Sequence, residues 1–101
     1  MLPRKRVTTH PGEVLQEEFL KPLRISQNAL ARHIGVRAFA INDLVHAKRR
    51  VTPRMALMLS QALGTSVEFW MGLQDDYDIT RLTQTGEGKR VQAIPPMAHA
   101  G

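Results

Sequence analysis

Between Gln27 and Arg50 the chain gathers amides, cations and one acid in a spacing that suits contact with a polyanion. Lys48, Arg49 and Arg50 are consecutive, and Arg37, Asn42, Asp43 and His46 precede them. Lysine and arginine grip phosphate, arginine also pairs in bidentate fashion with guanine, and asparagine does the same with adenine. On a helix running from about Arg37 to His46, the side chains of Phe39, Asn42, Asp43 and His46 lie away from the apolar stripe of Ile41, Leu44 and Val45. Arg37 is then expected to meet guanine or phosphate, Asn42 adenine, and Ala38 or Phe39 a thymine methyl group. Asp43 repels phosphate, so its expected task is to read cytosine or to orient a neighbour. Gln27 is placed to hold a backbone phosphate, and Lys48, Arg49 and Arg50 to grip the backbone beside a groove. Each has a plainer alternative: Phe39 folded onto the core, Asn42 capping or solvating its helix, and residues 48–50 as a solvated loop.

Other chemistries find little support. The chain has 101 residues and no cysteine, which excludes disulfides, thiolate metal sites and cysteine nucleophiles. His10, His33, His46 and His99 show no ligand spacing, so no metal site is expected. No glycine-rich phosphate loop or nucleophile motif is present, so neither a cofactor nor catalysis is expected. Apolar runs are short, which argues against a membrane span, and the basic N-terminus has no apolar stretch behind it to make a secretory signal. Lack of cysteine fits a reducing cytoplasm.

The formal net charge is +5, and its distribution is uneven. Asp43 is the one acid between Arg24 and Arg54, whereas Glu68, Asp75, Asp76 and Asp78 follow with no base among them. One end of the domain is therefore expected to attract phosphate and the other to repel it.

The elements that must position these groups are helices. Residues 1–9 suggest a flexible basic arm. A first helix is expected from Glu13 to Leu20 or Lys21, ended by Pro22. Ser26 suits the N-cap of a second helix, Gln27 to Ile34, stopped by Gly35. A third runs from about Arg37 to His46. Thr52 and Pro53 open a fourth that Gly64 ends, and Ser66 opens a fifth from Val67 to about Asp78. Residues 10–82 thus form one all-α domain. Thr83 to Gly101 is expected to be a mostly flexible tail with a short extended piece at Val91–Ile94.

The segment Gln27–His46 has the layout of a helix-turn-helix. Gly35 turns one helix at once into the next, and Ala31, four residues earlier, is small enough for a steep crossing. Leu30, Ile34, Val36, Ile41 and Leu44 supply the contacts that lock the pair, leaving the far face of the third helix for the major groove.

The stretches His10-Pro11-Gly12-Glu13-Val14-Leu15 and Ser26-Gln27-Asn28-Ala29-Leu30-Ala31 resemble HigA-type antitoxins of the VapI/Xre-like helix-turn-helix family. So do Ile41-Asn42-Asp43 with Lys48-Arg49, Ala62-Leu63-Gly64-Thr65-Ser66 with Glu68-Phe69-Trp70, and Leu73-Gln74 with Tyr77-Asp78. The resemblance spans roughly residues 10 to 82. It implies a five-helix lambda-repressor-like fold, a homodimer on palindromic double-stranded operator DNA, and a partner. That partner would be a RelE-like, HigB-type toxin that cleaves messenger RNA, neutralised while the shared operon is repressed. Two positions depart from the family pattern: Ala47 and Arg50 stand where glycine is frequent, which makes the loop more basic and less able to adopt positive φ.

Phe69, Trp70, Leu73 and Tyr77 give the fifth helix more apolar surface than a small domain readily buries. They are expected to close a twofold interface as well as to serve the core. A stand-alone Xre-family regulator with no toxin is the alternative within the family, and a helical module that docks protein is the alternative outside it.

Overall fold

The computed structural model describes residues 9–98, so the basic arm, apart from Thr9, lies outside the described residues, as does His99. Among the described residues there are six helices and no strand.

The first helix, α1, covers residues 11–23 and has three parts: Pro11–Val14, a π-helical stretch Leu15–Leu20, and Lys21–Leu23. His10 caps it, its Nδ1 accepting from the Gly12 N–H at 2.9 Å, with Pro11 at the first helical position, where a missing donor costs nothing. Pro22 does not end α1, contrary to expectation. The wide π turn before it, where the Lys21 N–H bonds back to Gln16, shifts the preceding carbonyls out of the register that a proline ring would strike. The helix stops instead at Arg24, whose φ is 57°. There Ile25 N–H donates to Leu20 (2.9 Å) and Arg24 N–H to Lys21 (3.1 Å), the paired bonds of a Schellman end.

Helix α2, Gln27–Ile34, begins where Ser26 Oγ accepts from the Ala29 N–H (2.9 Å) and ends at Gly35, with φ 82°. The N–H groups of Gly35 and Val36 both reach the Ala31 carbonyl. Helix α3, Ala38–Val45, follows after a turn of three residues. Helix α4, Pro53–Leu63, is capped by Thr52 and ended by Gly64. Helix α5, Val67–Thr83, is capped by Ser66 and runs past the expected end at Asp78.

The C-terminal segment differs from expectation. Gly86–Gln92 forms helix α6, capped by Thr85 Oγ1 on the Gly88 N–H (2.9 Å), in place of an extended piece at Val91–Ile94. Gly88 is buried because α6 meets the end of α5 at backbone distance: a Cβ there would fall on the Leu82 carbonyl. Glycine therefore permits a docked helix here.

The core draws Leu15 and Leu20 from α1, Ile41 and Leu44 from α3, Ala56 and Leu59 from α4, and Val51 and Trp70. Trp70 is 0% exposed, and its indole N–H donates to Thr65 Oγ1 at 2.6 Å. That bond satisfies the one polar group a buried indole carries.

Candidate nucleic-acid interface

Helix α3 buries Ala40, Ile41 and Leu44 and turns its other side outward. Ala38, Phe39, Asn42 and His46 are exposed on that side, Asp43 is half-buried, and Arg37 is exposed at its N-terminal edge. The structure thus gathers the residues expected to meet base edges onto one convex ridge, which has the dimensions of a helix that enters a major groove. Phe39 does not fold onto the core: it is 55% exposed.

A line of amides fixes the ridge to the other helices. Asn42 Nδ2 donates to Gln27 Oε1 (3.2 Å), and Gln27 Nε2 reaches Gln16 Oε1 (3.5 Å). Gln27 at the start of α2 therefore braces Asn42 and is also half-buried. Gln16, on α1, had no signal of its own in the sequence. The Asn42 carbonyl accepts from His46 Nδ1 at 2.8 Å, which holds the imidazole along α3.

The three consecutive cations occupy three different environments. Lys48 has no ion-pair partner among the described residues and points its ammonium into solvent. The Arg49 guanidinium lies over the Phe39 ring, 5.8 Å from its centroid, and 3.8 Å from Asp43. Arg50 donates to Asp78 Oδ2 at 2.8 Å. That last contact corrects the expected charge separation, because Asp78 on α5 sits against the basic loop and not at the far end. Exposed pairs of this kind are worth well under about 1 kcal/mol, but they decide where a side chain points.

The loop carrying these cations is held from beneath. Ala47 has φ 60°, with Lys48 N–H donating to the Asp43 carbonyl (2.8 Å) and Ala47 N–H to Leu44 (3.1 Å). An alanine thus adopts the left-handed conformation for which glycine was expected. Gln74, 1% exposed, accepts from the Val51 N–H at 2.7 Å and donates to Asp78 Oδ1 at 2.9 Å. His10 packs edge-on against Tyr77 and lies beside the Arg49 backbone. Burial pushes the His10 imidazole below the usual histidine range, against the opposing pull of the Asp78 and Glu13 carboxylates. Gly12 touches the end of α3 directly, since a Cβ on it would fall on the Leu44 carbonyl. Gln74 had one legible signal, its position four residues after Trp70 on the same helix face.

The residues expected at a twofold interface divide. Trp70 is wholly inside its own chain, so its place at an interface is corrected. Phe69 is 38% exposed, and Leu73 and Tyr77 are half-buried. Among the described residues, no cluster of histidine and acidic side chains fits a metal ion, and no helix is long and apolar enough to cross a membrane.

The helix-turn-helix family matches residues 17–70, which include all of α2, α3 and α4. Virulence-associated protein I of Dichelobacter nodosus is 39% identical over 89 residues, covering 88% of this chain and 81% of that protein. Antitoxin HigA-1 of Vibrio cholerae is 35% identical over 92 residues, covering 89% of this chain and 87% of its own. The Pseudomonas aeruginosa antitoxin HigA, solved with the higBA promoter, superposes with a TM-score of 0.82 at 38% identity, covering 90% of this chain and 99% of that one.

Proposed function

Because this chain belongs to the helix-turn-helix family that includes HigA antitoxins and virulence-associated protein I, we propose that it binds operator DNA as a dimer. On this reading it represses the operon that encodes it and neutralises a RelE-like toxin that cleaves messenger RNA. The observation that carries the DNA part is the outer ridge of α3, with Arg37 and Lys48 at its two ends, neither in an ion pair among the described residues, in a chain that superposes on an antitoxin solved with its promoter. The toxin is supported by the antitoxin name of relatives alone. Phe69, Leu73 and Tyr77 on α5 are proposed to close the dimer, and both activities belong in the cytoplasm.

Two half-sites make energetic sense of the dimer. One ridge reads few bases, each worth about 1–3 kcal/mol of discrimination, so a pair is needed for useful selectivity.

Titration of labelled DNA from upstream of the chain's own gene, at stepped salt concentrations, tests the reading. Tight, salt-dependent binding is expected. Arg37→Ala should relax sequence preference. Lys48→Ala should weaken all sequences alike and reduce the salt slope by about one. Indifference of binding to both changes, with the fold intact, would remove α3 from the interface.

A stand-alone regulator is the second reading, favoured by a 39%-identical relative named for virulence and not as an antitoxin. Co-expression with the product of the neighbouring reading frame separates the two. A small basic protein that copurifies supports the antitoxin, and its absence supports the regulator.

A further inference from the structure

Arg49 sits in the loop after α3, where a cation ordinarily serves the DNA backbone, yet its guanidinium is turned back onto the ridge of α3. Phe39 and Asp43 stand four residues apart, on adjacent turns of the same exposed face. The guanidinium lies 5.8 Å from the Phe39 centroid and 3.8 Å from Asp43 Oδ2. We propose that Phe39, Asp43 and Arg49 form a single reading unit, in which Arg49 recognises a guanine in the major groove and Asp43 and Phe39 aim it. This rests on the operator-binding reading above.

Three physical points support the assignment. An unpaired carboxylate on a groove-facing ridge is repelled by phosphate on both strands, and a cation beside Asp43 relieves that repulsion. A guanidinium has five N–H donors in a planar fork, so an edge turned to Asp43 leaves another for O6 and N7 of guanine. The Phe39 ring holds the plane of that fork by a cation–π contact, which a flexible phosphate-seeking side chain does not need. Lys48, one residue earlier and without a partner among the described residues, is the better phosphate ligand of the two.

Asp43 and Phe39 are positioning residues on this view. The separation of 3.8 Å is an ion-pair distance, so Asp43 aims the fork by charge and not by a direct hydrogen bond.

The test selects bound duplexes from a library with a randomised centre, using the full chain and three variants, Arg49→Ala, Arg49→Lys and Asp43→Asn. Both side chains are open to solvent, 43% exposed for Arg49 and 36% for Asp43, and circular dichroism checks that the fold is kept. Wild type should enrich a G·C pair at one position of each half-site. Arg49→Ala should lose that single preference by roughly ten- to a hundredfold, leaving the other positions unchanged. Arg49→Lys keeps the charge but not the fork, so it should lose the same preference while retaining the wild-type salt slope. Asp43→Asn should weaken the preference at the same pair and nowhere else. Equal weakening of all sequences by Arg49→Ala, with recovery by Arg49→Lys, would make Arg49 a phosphate ligand and overturn the proposal. An unchanged preference in every variant would overturn it too. If wild type enriches no sequence, the operator reading itself fails, and this one with it.

Discussion

The chain leaves α2 and α3 by two left-handed residues of different kinds. At the end of α2 the residue is Gly35, with φ 82° and open space where a Cβ would stand. At the end of α3 it is Ala47, with φ 60°. An L-residue pays about 1–2 kcal/mol for this conformation, which glycine does not. The turn after α2 is therefore a local event, written in one residue. The loop after α3 is imposed from outside by Gly12 against Leu44, Gln74 on the Val51 N–H, and His10 against Tyr77 and the Arg49 backbone. Helices α1 and α5 thus act together as a mould for the loop that presents Lys48 and Arg49.

Breaking the mould should have the largest effect. Gly12→Ala places a methyl group on a backbone carbonyl, which cannot swing aside as a side chain can. Loss of about 3 kcal/mol or more is expected, a large share of the roughly 5–15 kcal/mol that stabilises a domain of this size. Thermal denaturation should show a drop of about 12 °C or more. A shift of only a few degrees would mean that α1 does not lock the end of α3.

Gln74→Leu keeps the volume but removes the acceptor from a buried N–H. The expected cost is about 1–3 kcal/mol, measured by urea unfolding. DNA affinity should fall as well, because Val51 and Asp78 lose the group that ties the loop to α5. Unfolding at the wild-type midpoint would show that the loop holds its course without this latch.

The two exits can also be exchanged. Gly35→Ala should destabilise by about 1 kcal/mol, whereas Ala47→Gly should stabilise by about 0.5–1 kcal/mol, the relief of strain being partly offset by the greater freedom of glycine in the unfolded chain. Opposite signs in matched unfolding curves are the expected result. The same sign at both positions would contradict a local origin for one turn and a tertiary origin for the other.

That contrast also explains what was legible in the sequence. Ser26, Gly35, Thr52, Pro53, Gly64 and Ser66 act on their own neighbours, and each helix end they signal lies where expected. Ile41 and Leu44 face inward by period alone, so the outer ridge with Arg37, Phe39, Asn42 and His46 followed directly. The misreadings involve distant partners or unusual backbone. Pro22 stops a regular helix but not one that has just passed through a π turn. The tail expected to be mostly flexible from Thr83 contains α6, and Gly88 is the contact that lets it dock. Trp70 looked surplus to a small core and is wholly consumed by it. The brace of Gln16 and Gln27 on Asn42, and the pairing of Arg50 with Asp78 28 residues away, need three dimensions to be seen.

The gentlest challenge to the mould is protonation of His10. Its Nδ1 must stay unprotonated to accept from the Gly12 N–H, so a proton there sets two donors face to face. Burial lowers the imidazole pKa in the fold, and the unfolded chain therefore takes up the proton first as pH falls. The stability contributed by neutral His10 is complete above the unfolded histidine value, near 6.5, and is lost as pH drops from there toward the depressed folded value. Asp78 and Glu13 favour the charged ring and oppose burial, which makes this the smallest of the effects. His10→Asn retains a capping oxygen and does not titrate. Urea midpoints followed from neutral to mildly acidic pH should slope downward for wild type and run flatter for the variant. Parallel slopes would assign the acid sensitivity to groups other than His10.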